Sequence, residues 1–77
     1  MQEGVLVWHD EAIAAQYFSK GELVFTPLQV GQYVQIFQNG YWHEFKVIST
    51  TEEPYFEDCN YGNCLGCEIK IEIYPRL

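Results

Sequence analysis

The dipeptide Asn39-Gly40 stands between two runs, "QYVQIFQ" and "YWHEFKVIS", in which apolar and polar residues alternate. Asn-Gly is favoured in two-residue type I′ turns, whose central residues both take positive φ. No other stretch constrains this chain as tightly, because a two-residue loop sets the register of both strands beside it. Counting outward, Gln38 faces Tyr41, Phe37 faces Trp42, Ile36 faces His43, Gln35 faces Glu44, Val34 faces Phe45 and Tyr33 faces Lys46. Side chains alternate along each strand. One face therefore carries Val34, Ile36, Tyr41, Phe45 and Val47 and is the expected core, while the other carries Tyr33, Gln35, Phe37, Trp42, Glu44 and Lys46.

The apolar run Val5 to Trp8 predicts a first strand, and "ELVFTP" predicts another, closed by Pro27. Between them, "EAIAAQYFSK" is rich in alanine and sets Ile13 with Tyr17 and Ala14 with Phe18 at i, i+4. With Asp10 as N-cap, Glu11 in the first turn and Lys20-Gly21 at the end, this segment predicts a short helix. A last strand, "EIKIEIY", turns Ile69, Ile71 and Ile73 inward and Glu68, Lys70, Glu72 and Tyr74 outward before Pro75 ends it. The stretch from Ser49 to Cys67 carries no helix or strand signal, and connections this long are usually functional, stapled or mobile.

Seventy-seven residues hold one domain, residues 1–77, of mainly β (α+β) class. Four or five strands and one short helix near the N-terminus predict a strongly bent antiparallel sheet or small barrel. The stretch "VGQYVQIFQNGYWHEFKVIS" resembles the central hairpin of SH3-like and Tudor-like barrels, where a valine-glycine pair opens a strand and a turn glycine precedes an aromatic pair. That resemblance implies an SH3-like barrel and carries no function with it.

The segment "CNYGNCLGC" holds every cysteine of the chain, Cys59, Cys64 and Cys67. Three readings of it stand. Thiolates on a glycine-containing loop can converge on a structural zinc, with Cys59, Cys64 and Cys67 as three ligands and His43, on the core face near the turn, as the best fourth. Alternatively, Cys64 and Cys67 form a C-x2-C redox pair, although no helix N-terminus follows to stabilise a thiolate. In the third reading the thiols share no role. The C-x4-C-x2-C spacing also resembles the first three ligands of plant-type [2Fe–2S] ferredoxins, which implies those cysteines as cluster ligands, but the fourth cysteine of that family is absent.

Tyr33, Phe37 and Trp42 have two readings as well. The predicted helix covers them, or they form a recognition surface for a partner protein. The acidic stretch "EEPYFED" is either a solvated loop or a docking patch with aromatic anchors.

Composition narrows the function. An apolar fraction of 48% with 17% aromatics belongs to a folding chain, not a disordered one. Eleven acids against four bases, a net charge of −7, oppose direct binding to nucleic acid. The N-terminal segment lacks a basic region and a long apolar run, so the expected location is cytoplasmic, without a membrane partner. No grouping of nucleophile, base and orienting residue and no phosphate-binding glycine loop appears, so no enzymatic activity is expected. The leading reading is a small acidic protein-interaction module with a zinc-clipped loop, and assembly of identical chains is compatible with it. The alternatives are a metal or thiol redox protein using Cys64 and Cys67, and an acidic inhibitor that mimics nucleic-acid charge.

Overall fold

The hairpin has the register that its turn dictates. In the computed structural model, which describes residues 1–73, β4 (Tyr33–Gln38) pairs antiparallel with β5 (Tyr41–Lys46), from Gln38 opposite Tyr41 to Tyr33 opposite Lys46. Asn39 and Gly40 take φ of 52° and 82°, as a type I′ turn requires.

The predicted helix is a strand. Residues Gln2–His9 form β1, Ala12–Ser19 form β2 and Glu22–Pro27 form β3, a three-stranded meander with no helix among the described residues. Asp10 and Glu11 both have positive φ, 55° and 65°, and so do Lys20 and Gly21, at 52° and 79°. The residues read as an N-cap and a C-cap are thus the tight turns of two hairpins, built like Asn39-Gly40. Within β2, Ile13, Ala15 and Tyr17 lie on one face, while Ala14, Gln16 and Phe18 lie on the other. The spacing i, i+4 is a multiple of two as well as about one helical turn, so it fits either structure.

The last strand, β6 (Glu68–Ile71), enters the middle of the sheet between β1 and β4 and gives the order β3-β2-β1-β6-β4-β5. All neighbours are antiparallel, and β3 and β5 are the open edges. Among the described residues the architecture is therefore one unclosed antiparallel sheet of six strands, which agrees with the expected antiparallel sheet and corrects the strand number of four or five and the barrel alternative. Ile69 and Ile71 are buried as expected, whereas Ile73 is about half exposed. Tyr74 and Pro75 lie outside the described residues.

One face of this sheet is the core. Leu6, Ile13, Ala15, Val34, Ile36, Ile69 and Ile71 lie on it, each buried to within 1% of full. Tyr41 shares the face by register but is 71% exposed at the turn end, which corrects its assignment to the core.

The segment after β5 covers that face. Val47 bridges Phe56, the Ile48 N–H donates to the Tyr55 carbonyl at 2.8 Å, and the Ile13 N–H donates to the Thr50 carbonyl at 2.9 Å. At its far end the Gly66 N–H donates to the Leu6 carbonyl at 2.7 Å, and the Leu6 N–H donates to the Cys67 carbonyl at 2.9 Å. Tyr55, Phe56 and Cys64 fill the core beneath it. The aromatics of "EEPYFED" are therefore core side chains and not docking anchors. Burying a ring of this size contributes roughly 1.5–3 kcal/mol, which explains how a segment without regular structure stays seated.

Candidate functional site

The covering segment brings the three cysteines together. Cys64 is 3% exposed with φ of 61°, and Cys59 and Cys67 are half-buried beside it. The Cys59 and Cys64 sulfurs are 3.7 Å apart. Cys67 stands just before β6, and the Gln38 amide Nε2 donates to its sulfur at 2.8 Å. A tight turn joins the C-x2-C pair, with the Cys67 N–H donating to the Cys64 carbonyl at 3.1 Å and Gly66 at φ of 87°. Burial, with the neighbouring Cys59 and Cys67 sulfurs adding to it, pushes the Cys64 pKa up to about 12.

His43 makes its polar contacts with Gln38 and Tyr61. Its Nε2 is 3.0 Å from the Gln38 carbonyl and 3.4 Å from the Tyr61 hydroxyl, and its ring lies 5.1 Å from that of Tyr61. A carbonyl only accepts, so in this contact Nε2 carries the hydrogen and the lone pair of the neutral ring is on Nδ1. Two thiolates on one tetrahedral zinc stand about 3.8 Å apart, close to the Cys59–Cys64 separation. Among the described residues, however, no group of three or more His, Cys, Asp or Glu side chains is arranged to hold an ion.

The other face of the sheet lies open. The expected helical cover over Tyr33, Phe37 and Trp42 does not exist, because its residues belong to β2. Tyr33 is 57% exposed and Phe37 lies at the surface, with its ring 5.3 Å from that of Trp42. Lys70 Nζ sits 4.1 Å above the Trp42 ring and 3.5 Å from the Glu3 carboxylate. A groove of about 940 Å³ beside Tyr33 is lined also by Met1, Val30, Gln35, Glu44 and Ile73, among others.

Sequence reasoning missed the far half of this face. Phe18 and Leu23 are paired across β2 and β3, and are 72% and 46% exposed. His9 stacks on Phe25 at 3.8 Å, reaching over β2. His9 is paired with Ala12 and Phe25 with Gln16, so Ala14, on the same face between those two positions, leaves room with its short side chain for the two rings to meet. The available signal was the alternation of Gln16 and Phe18 and of Leu23 and Phe25, masked by the helical reading of β2.

Among the described residues no helix is long and apolar enough to cross a membrane. Neither sequence nor fold gives a significant match to a protein-family model, a curated protein or a solved structure.

Proposed function

We propose that this chain is a non-catalytic module that binds another protein through the open face of its sheet. One observation carries the reading. The sheet has a single covered face, and Phe18, Leu23, Tyr33 and Phe37 stand exposed on the other. Apolar side chains gathered on one surface are a liability for a chain that works alone and an asset for one that docks. Tyr33, Phe37 and Trp42 are the proposed anchors, since aromatic residues dominate binding energy at the centre of interfaces.

Charge specifies the partner's chemistry. Eleven acids against four bases act over the whole surface, and Glu3, Glu44 and Glu68 lie on the open face beside the rings. The matching surface is an apolar patch flanked by lysine or arginine, which steers association without supplying most of the affinity.

A photo-crosslinking residue at position 33 identifies what docks, and that protein, made recombinantly, is titrated against wild type, Phe37→Ala and Trp42→Ala. A loss of about tenfold or more in affinity for either variant, with an unchanged circular dichroism spectrum, supports the face. Affinity that ignores both changes and falls steeply with added salt overturns it in favour of charge mimicry.

A further inference from the structure

The thiol cluster belongs to the covered side of the sheet and has no part in the proposed docking face. From its geometry we propose that Cys59 and Cys64 form a reversible disulfide that locks the segment over the core, leaving Cys67 as a thiol.

The pairing follows from what holds each sulfur. Cys59 and Cys64 are in van der Waals contact at 3.7 Å, and a disulfide closes that to about 2.0 Å. Neither is strongly held: Cys59 Sγ is 3.9 Å from the Gly62 carbonyl and Cys64 Sγ is 4.0 Å from the Tyr61 carbonyl, both long contacts. Cys67 is fixed differently. Its sulfur takes the Gln38 amide at 2.8 Å and its carbonyl is bonded to β1, so joining Cys64 would cost it that amide.

Access sets the order of steps. Cys59 is the more exposed of the pair, and Cys64 is almost fully buried. With a low-molecular-weight disulfide of the glutathione class as oxidant, the Cys59 thiolate attacks one of its sulfurs. A mixed disulfide forms, and the first small thiolate leaves and takes up a proton. The Cys64 sulfur, losing its proton, then attacks the Cys59 sulfur, forming the Cys59–Cys64 bond and expelling the second small thiolate, which is protonated in turn. Two protein thiols are oxidised and one small disulfide is reduced to two thiols. The burial of Cys64, which disfavours its thiolate, makes the second step the slow one.

The lock acts on a defined part of the covering segment. Tyr61, between the two cysteines, packs its ring against His43 and Phe45, and Asn63 Nδ2 donates to Glu53 Oε1 at 2.8 Å. Closing the ring around residues 59–64 restrains these contacts in the oxidised form.

The test uses the full chain, purified reduced and equilibrated in glutathione buffers of rising oxidised fraction. Free thiols are then alkylated, and the protein is mapped by mass spectrometry with metal content measured on the same sample. The expected product has lost two hydrogen atoms, links Cys59 to Cys64 and carries the alkyl label on Cys67. Cys67→Ser still forms the link and Cys59→Ser does not. A link that includes Cys67, or three labelled thiols in the most oxidising buffer, overturns the proposal. So does one equivalent of zinc that shields all three thiols until a chelator removes it.

Discussion

The side-chain amide of Gln38 donates to the sulfur of Cys67 across 29 residues of sequence, at 2.8 Å. The same residue's carbonyl accepts from His43 Nε2, so Gln38 holds both the end of the hairpin and the start of β6. Gln38→Ala removes the sulfur's donor and keeps the carbonyl. The expected cost is about 1 kcal/mol in urea unfolding, with faster alkylation of Cys67 in the native protein. Unchanged stability together with an unchanged Cys67 rate would mean that the contact does not hold the sulfur.

Cys64 makes stability depend on pH in a definite direction. Its pKa is raised from 9.0 to about 12 in the folded state, so folding favours the neutral thiol. That contribution is complete below about pH 9 and is lost as pH rises towards 12, because the unfolded chain releases the proton first. The urea midpoint of the reduced protein should therefore fall over this window more steeply for wild type than for Cys64→Ala, in which other titrating groups remain. Parallel curves for the two proteins would refute the shift. In the same experiment native alkylation of Cys64 should lag behind that of Cys59 at neutral pH.

Gly4 sits inside β1, where the sequence offers no turn or cap to explain a glycine. A Cβ built there would lie 2.3 Å from the Gln16 carbonyl oxygen and 3.2 Å from the Tyr17 Cβ. The obstacle is backbone, which cannot rotate aside. Gly4→Ala should destabilise the fold by about 1–3 kcal/mol despite the better strand propensity of alanine. A melting temperature equal to that of wild type would show that β1 and β2 separate at no cost.

What the sequence revealed depended on how far each signal reached. Asn39-Gly40 acts on its nearest neighbours, and counting from it recovered the whole β4–β5 register. Lys20-Gly21 makes the same kind of turn, yet beside an alanine-rich run it reads equally well as a helix end. The i, i+4 pairs Ile13–Tyr17 and Ala14–Phe18 could not decide, being common to both periods, and tertiary pairing with β1 and β3 overrode the local preference. The place of β6 between β1 and β4 is a non-local relationship that no alternation pattern encodes. In the candidate site, the spacing of Cys59, Cys64 and Cys67 marked their convergence. The polar contacts of His43 are with Gln38, in its own hairpin, and with Tyr61, from the covering segment, and the second of these no local pattern encodes.

The period of β2 can be tested at two adjacent positions. Ala15 is buried to 1% on the core face, between Leu6 and Thr26 in register, and its extra volume has nowhere to go. Ala15→Val should cost about 1–3 kcal/mol through overpacking. Gln16 points the other way, between Val5 and Phe25 on the open face. Gln16→Val adds a β-branched side chain beside two apolar neighbours and should be neutral or stabilising by roughly 0.2–1 kcal/mol. On an exposed helix both changes would be mildly unfavourable, because valine is a poorer helix former than either residue it replaces. Opposite signs at neighbouring residues in chemical denaturation thus belong to a strand with one covered face. Equal small losses at both would return this segment to the helix that its alanines suggest.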